Sequence, residues 1–193
     1  MGESYHARLR CAMEKFCINN LTNRQNAGLL PMAGFVNVFR AVRDAAGHVY
    51  FIGNGGSAGI AMHMTADFLK NGKMRTVSMY NPATLTCLGN DFGIEFIFSK
   101  QLEFLAHPGD LLVAISSSGN SPNILRAIET AKEKGCKVIT LTGFREDNKV
   151  RQMGDFNVYV PSMEYGIVEA VHNIILQQVV DILMEENREE SKI

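Results

Sequence analysis

The 193-residue chain has no apolar stretch approaching the roughly 20 residues that a membrane-spanning helix needs, so no bilayer span is expected. It also has no excess of either charge. The 19 Lys and Arg stand against 20 Asp and Glu, a net −1 with neutral histidines. Such a balance gives no general electrostatic reason to bind nucleic acid or anionic lipid. The opening Met1-Gly2-Glu3-Ser4-Tyr5-His6 lacks the charged-then-apolar order of a signal peptide. His6 stands where a myristoylation signal wants Ser or Thr. Cysteine is sparse: Cys11, Cys17, Cys87 and Cys136 are widely spaced, with no C-x-x-C. Scattered thiols behind no leader fit a cytoplasmic protein whose cysteines serve as small apolar residues. There is no Pro-rich linker and no internal repeat. A Gly-Lys-Ser/Thr phosphate loop is missing too, which argues against ATP hydrolysis.

What remains is an ordinary globular mix, 46% hydrophobic and 20% charged. A chain of this length hides roughly 70% of its unfolded surface and can bury a full core. The first 45 residues read as a helical extension of two helices. Tyr5, Leu9, Met13 and Phe16 recur at helical spacing, as do Phe35, Val38, Phe39 and Val42, with a polar break from Asn19 to Gly28. From there to residue 187 short apolar runs alternate with helical patterns. The runs are His48–Ile52, Thr76–Tyr80, Leu111–Ile115, Val138–Leu141 and Phe156–Val160. Helices are expected near 57–70, 93–105, 122–134 and 165–186. Runs without polar alternation suit strands buried on both faces of a parallel sheet, and the alternation predicts a three-layer α/β sandwich in one domain. Ser121-Pro122 marks a helix start and Gly135 a helix stop. Glu185–Ile193 reads as a solvated, frayed tail.

In such sheets ligands bind outside the carboxyl ends of the strands. Two turns there are unusual. Gly53-Asn54-Gly55-Gly56-Ser57-Ala58-Gly59 follows a strand and opens a helix. Its glycines let backbone N–H groups approach an anion, and the helix dipole favours negative charge there. It formally matches G-x-G-x-x-A. However, the next strand ends Ser78-Met79-Tyr80-Asn81-Pro82, without the acid that a dinucleotide's ribose requires, so no nucleotide cofactor is expected. The second turn, Ser116-Ser117-Ser118-Gly119-Asn120-Ser121, brings four hydroxyls to another helix start. Neutral donors of this kind hold a phosphate without adding positive charge. Capping and a tight turn would need only one serine.

Gly-Asn-Gly-Gly-Ser followed by Ile115-Ser116-Ser117-Ser118-Gly119-Asn120-Ser121 resembles the sugar isomerase (SIS) domain. Leu88-Gly89-Asn90-Asp91-Phe92-Gly93 and Lys137-Val138-Ile139-Thr140-Leu141-Thr142-Gly143 resemble its phosphoheptose isomerases. The likeness covers nearly the whole chain. It implies a five-stranded parallel sheet flanked by helices, and a homotetramer with active sites near subunit interfaces. It implies interconversion of sedoheptulose 7-phosphate and a manno-heptose 7-phosphate, a ketose–aldose isomerisation feeding surface-polysaccharide (lipopolysaccharide or capsule) heptose synthesis. By the same resemblance Ser57, Ser116, Ser117, Ser118 and Ser121 fall on phosphate-binding positions. Asn54, Gly55, Gly56, Asn90 and Asp91 fall on substrate-contacting ones.

Such a reaction needs a base for the α-proton and a group that shuttles protons to the oxygens. His63 and Asp67, at i and i+4, share a helix face, a common way to present two metal ligands. Glu169 and Gln177 lie two turns apart on the last helix, with His172 one turn from Glu169. Phosphoheptose isomerases carry His, Glu, Gln and His at the four corresponding positions, as a zinc and acid–base cluster. Here the set reads His63, Asp67, Glu169 and Gln177, still a plausible divalent-metal set. Asp67 or Glu169 is the expected base, and His172 or a metal-bound water the proton shuttle. His172 also fits a core histidine. The departures leave open a non-catalytic SIS protein that senses a phosphosugar or binds a replication initiator. The apolar sides of the second and last helices point to subunit contact, at least a dimer.

Overall fold

The computed structural model describes residues 3–22 and 28–190, with the backbone only at 190. Residues 23–27 of the expected polar break and 191–193 of the expected tail lie outside them. In chain order the elements are α1 (Tyr5–Lys15), β1 (Cys17–Asn20), β2 (Gly28–Leu29), α2 (Met32–Asp44), β3 (His48–Gly53), α3 (Gly56–Lys70), β4 (Arg75–Val77), α4 (Pro82–Phe92), α5 (Ser99–Leu105), β5 (Leu111–Ser116), α6 (Pro122–Glu133), β6 (Lys137–Thr142), β7 (Phe156–Tyr159) and α7 (Tyr165–Glu190). Short 3-10 turns occupy Ile94–Phe96 and Val150–Gln152.

The sheet runs β2-β1-β7-β6-β5-β3-β4. Its β4-β3-β5-β6-β7 portion is parallel throughout, the five strands expected. Two more strands extend it to seven, because β1 pairs antiparallel with the free edge of β7 and β2 with β1. They overlap the two ends of the stretch read as a polar break, Asn19 to Gly28. Asn19 and Asn20 carry little strand propensity; the open backbone of β7, from Phe156 to Tyr159, decides the pairing.

The strands bury both faces. One core holds Phe35, Phe39, Phe51, Phe68 and the inner side of α7; the other holds Tyr50, Phe98, Leu102 and Ile128. α3 and α7 run parallel, with Gly56 against Glu169 at one end and the Asn71 carbonyl accepting from Asn187 Nδ2 (3.1 Å) at the other. By length and composition Tyr165–Glu189 could cross a membrane. However, Val168, Val171, Ile175, Leu176, Val179, Val180 and Leu183 are buried in the core, and polar residues interrupt the apolar run, so that resemblance is weak evidence for a span.

Three expectations change. The sheet and its layers already cover α2 and most of the apolar side of α7 within one chain, so the apolar surface expected for subunit contact shrinks to a few exposed side chains such as Ile174. The helix expected over 93–105 is broken at its start, and α4 precedes it, capped by Asn81 with Pro82 in its first turn. The expected frayed tail is helical to Glu190. Arg40 forks onto Glu186 (Nε–Oε2 3.0 Å, Nη2–Oε1 the second bond), and Asn187 is buried.

Candidate active site

At the carboxyl ends of β3 and β5 the chain opens a cavity of about 410 Å³. It is lined by Asn54, Gly55, Gly56, Ser57, Ile115, Ser116, Ser117, Ser118, Ser121, Tyr165 and Glu169. Both unusual turns therefore meet in one place.

The first turn is shaped by its glycines. Gly55 has φ 55°, a left-handed conformation that only glycine adopts readily. A side chain at Gly56 would fall on the Glu169 carboxylate. Glu169 thus rests on the first turn of α3, with Oε1 3.5 Å from Ser57 Oγ. A carboxylate is favoured at that end of a helix dipole. Two contacts pin the turn. The amides of Asn54 and Asn123 exchange reciprocal hydrogen bonds at 2.9 Å, tying it to α6. The Tyr80 hydroxyl accepts from Gly53 N–H (2.7 Å) and donates to Gly53 C=O (2.9 Å). β4 pairs with β3 only as far as Tyr50, so Tyr80 stands in for the missing strand.

The serine turn is held by Gly143 N–H on the Ser117 carbonyl (3.0 Å) and Val150 N–H on the Gly119 carbonyl (2.9 Å). Its hydroxyls are not consumed by this framework. Ser121 occupies the N-cap position of α6, yet its side chain makes no capping bond. Ser117 Oγ is buried without a hydrogen-bond partner among the described residues. An orphaned buried hydroxyl costs about 1–3 kcal/mol, so it is expected where a ligand supplies the partner. Two helix starts and neutral hydroxyls face the cavity. Among the described residues lining it, Glu169 carries the only formal charge. The arrangement suits a phosphate at the serine end and proton transfer at the carboxylate end.

The profile of the SIS domain family matches residues 21–143. The phosphoheptose isomerase of Rhodospirillum rubrum is 42% identical over 150 residues, which is 73% of this chain and 78% of the relative. That of Pectobacterium atrosepticum is 38% identical over 169 residues, 81% and 82% of the two chains. The chain belongs to the SIS domain family, among its phosphoheptose isomerases. The solved phosphoheptose isomerase of Neisseria gonorrhoeae superposes with a TM-score of 0.77 at 30% identity, covering 91% of each chain. That of Francisella tularensis gives 0.75 at 32% identity over 80% of this chain and 84% of the other.

Against that family pattern, the cavity gathers Asn54, Gly55, Gly56, Ser57, Ser116, Ser117, Ser118, Ser121 and Glu169. Other candidates stand elsewhere in the single chain. Asn90 and Asp91 are exposed on α4, where Asn90 Nδ2 donates to Asp91 Oδ1 (2.9 Å). His63 Nε2 lies 3.5 Å from Asp67 Oδ2 on the outer side of α3. Gln177 Nε2 donates to Asp181 Oδ1 (3.2 Å) on the outer face of α7. His172 is fully buried, with Nε2 3.1 Å from the Thr142 carbonyl and Nδ1 without a partner among the described residues. Burial holds its pKa down to about 4, the hydrogen bond to Thr142 opposing, so the ring is neutral at pH 7. Among the described residues no three His, Cys, Asp or Glu side chains converge to hold a metal. Within one chain, His63, Asp67, Glu169 and Gln177 therefore do not fit a zinc site, which takes at least three protein ligands. The four thiols are free.

Sequence reasoning missed two residues. Tyr165 lines the cavity, and Tyr80 holds its first turn. The Asn81-Pro82 helix start was a readable sign that β4 ends early and frees Tyr80 to reach back; nothing local marks Tyr165.

Proposed function

We propose that this chain interconverts sedoheptulose 7-phosphate and D-glycero-D-manno-heptose 7-phosphate. The reading rests on one observation above the others: the serine turn and the Glu169 carboxylate share a single cavity, with an unspent hydroxyl at Ser117. The phosphate sits among Ser116, Ser117, Ser118 and Ser121 at the starts of α3 and α6. Glu169 takes a proton from C1 of the ketose. The C1–H electron pair forms the C1=C2 bond of an enediol, and the C2 oxygen takes a proton. Return of a proton to C2, with loss of the O1 proton, leaves the aldehyde at C1. Ser57, beside Glu169, and Asn54 supply neutral hydrogen-bonding groups for the oxygens that change protonation. Glu169 serves as base in preference to Asp67, and no step calls on His172. The His63–Asp67 pair offers two donors, too few for zinc on its own, and the reaction is written without a metal. Asn90 and Asp91, exposed on α4 and outside the cavity lining, are given no step.

A homotetramer, at least a dimer, in the cytoplasm goes with this reading. Its support is family membership and the exposed apolar side chains of Met62 and Leu69 on α3 and Ile174 on α7. Size-exclusion chromatography with light scattering that gave a monomer at micromolar concentration would refute it. The activity is tested by a coupled assay on sedoheptulose 7-phosphate, with and without chelator. Turnover is expected. Absence of turnover together with stabilisation by the sugar phosphate would establish a sensor instead.

A further inference from the structure

The ring of Tyr165 lines the cavity but takes no part in the reaction as written. It opens α7 one turn before Glu169, on the same face. Glu169 reaches the floor against Gly56 and Ser57, whereas Tyr165 is at the mouth and 61% exposed. An exposed aromatic ordinarily has no fixed place, but this one is held. Its ring meets that of Phe144 nearly at right angles, with centroids 4.7 Å apart and planes at 77°.

Phe144 in turn has φ 56°, a left-handed backbone that is an outlier for a bulky side chain and costs on the order of 1–3 kcal/mol. The fold enforces it from both sides. Phe144 N–H donates to the Ser162 carbonyl (2.9 Å), and the Tyr159 hydroxyl donates to the Phe144 carbonyl (2.9 Å). From outside, α1 braces the start of α7, where Arg8 pairs with Glu164 (Nε–Oε1 2.8 Å). Strain of this kind survives where the surroundings over-determine it, and it clusters at ligand clamps.

We propose that Tyr165 is the sugar-recognition residue of this cavity. With the phosphate among the serines, the C–H face of the bound carbon chain packs on the Tyr165 ring, and Phe144 is the positioning residue that keeps the ring there. The inference rests on the proposed phosphosugar reading of the same cavity. Beside the hydrogen bonds of Ser57 and Asn54, it assigns a distinct share of the selectivity for a phosphorylated sugar over bare phosphate to one aromatic ring.

Titration calorimetry with sedoheptulose 7-phosphate and, separately, inorganic phosphate tests it without requiring turnover. Wild type binds the sugar phosphate more tightly than phosphate. Tyr165→Ala loses about tenfold in affinity for the sugar phosphate, the size expected for losing one aromatic contact, and stays within about twofold for phosphate. Tyr165→Phe keeps both affinities, and Phe144→Leu shows a smaller selective loss. Unchanged sugar affinity in Tyr165→Ala, or an equal loss for both ligands, overturns the inference. A wild type that binds both equally overturns the phosphosugar reading itself, and the inference with it.

Discussion

Ser117 separates a ligand-binding role from a structural one. Its hydroxyl is buried and has no partner among the described residues, so removing it relieves the fold while depriving a bound phosphate of a donor. Ser117→Ala is expected to melt no lower than wild type, and higher by up to about 1 kcal/mol of stability, while phosphosugar affinity falls roughly tenfold. A lower melting temperature with unchanged affinity would assign the hydroxyl to the fold. The serines were legible from sequence because no turn needs so many hydroxyls for capping alone. Glu169 was legible as a carboxylate among Ile167, Val168, Ala170 and Val171 that needed a partner. Its contact with Ser57 was not legible, since it joins residues 112 apart in the chain on two parallel helices. Asp67 read as an alternative base in one dimension, and His172 as either a proton shuttle or a core histidine. In space Asp67 stands at the outer side of α3 and His172 in the core.

Among the elements, the strand–turn–helix pattern could be read because buried parallel strands leave continuous apolar runs, as in Leu111–Ser116, all of it buried. The β1–β2 hairpin was hidden because its partner, the edge of β7, lies more than 130 residues away, and pairing there overrides local propensity. β4 was over-read by three residues at its end, and Tyr80 shows why. The side chain, not the backbone, continues the edge of β3 as far as Gly53. Tyr80→Phe leaves one buried N–H and one C=O at Gly53 without their partner. A loss of about 2 kcal/mol in urea unfolding is expected, with weaker phosphosugar binding as the first turn loosens. A variant as stable as wild type would show that the hydroxyl contact carries no weight.

For the molecule as a whole, His172 ties stability to pH. Its pKa is about 4 in the fold, against roughly 6.5 in the unfolded chain. Above pH 6.5 the ring is neutral in both states and adds no pH dependence. As pH falls from 6.5 toward 4 the unfolded chain takes up a proton that the fold refuses, and stability drops by on the order of 3 kcal/mol. Urea midpoints at pH 7.5 and pH 5 should therefore differ more in wild type than in His172→Gln. Equal differences would remove His172 as the source. The same burial that makes this residue a sensor of acid keeps it out of the cavity, so core and cavity divide the two groups, His172 and Glu169, that the sequence offered together.

The proposed isomerisation requires one cavity both to grip a phosphate and to move a carbon-bound proton through Glu169. Proton NMR of sedoheptulose 7-phosphate in heavy water reads that transfer directly, as loss of C1 proton signal from the ketose and as deuterium, not hydrogen, at C2 of the aldose formed. Wild type is expected to catalyse the exchange. Glu169→Gln should slow it by roughly 10²–10⁴-fold, the usual contribution of a positioned base, while binding the sugar phosphate as before. Exchange at the wild-type rate in Glu169→Gln would contradict the assignment.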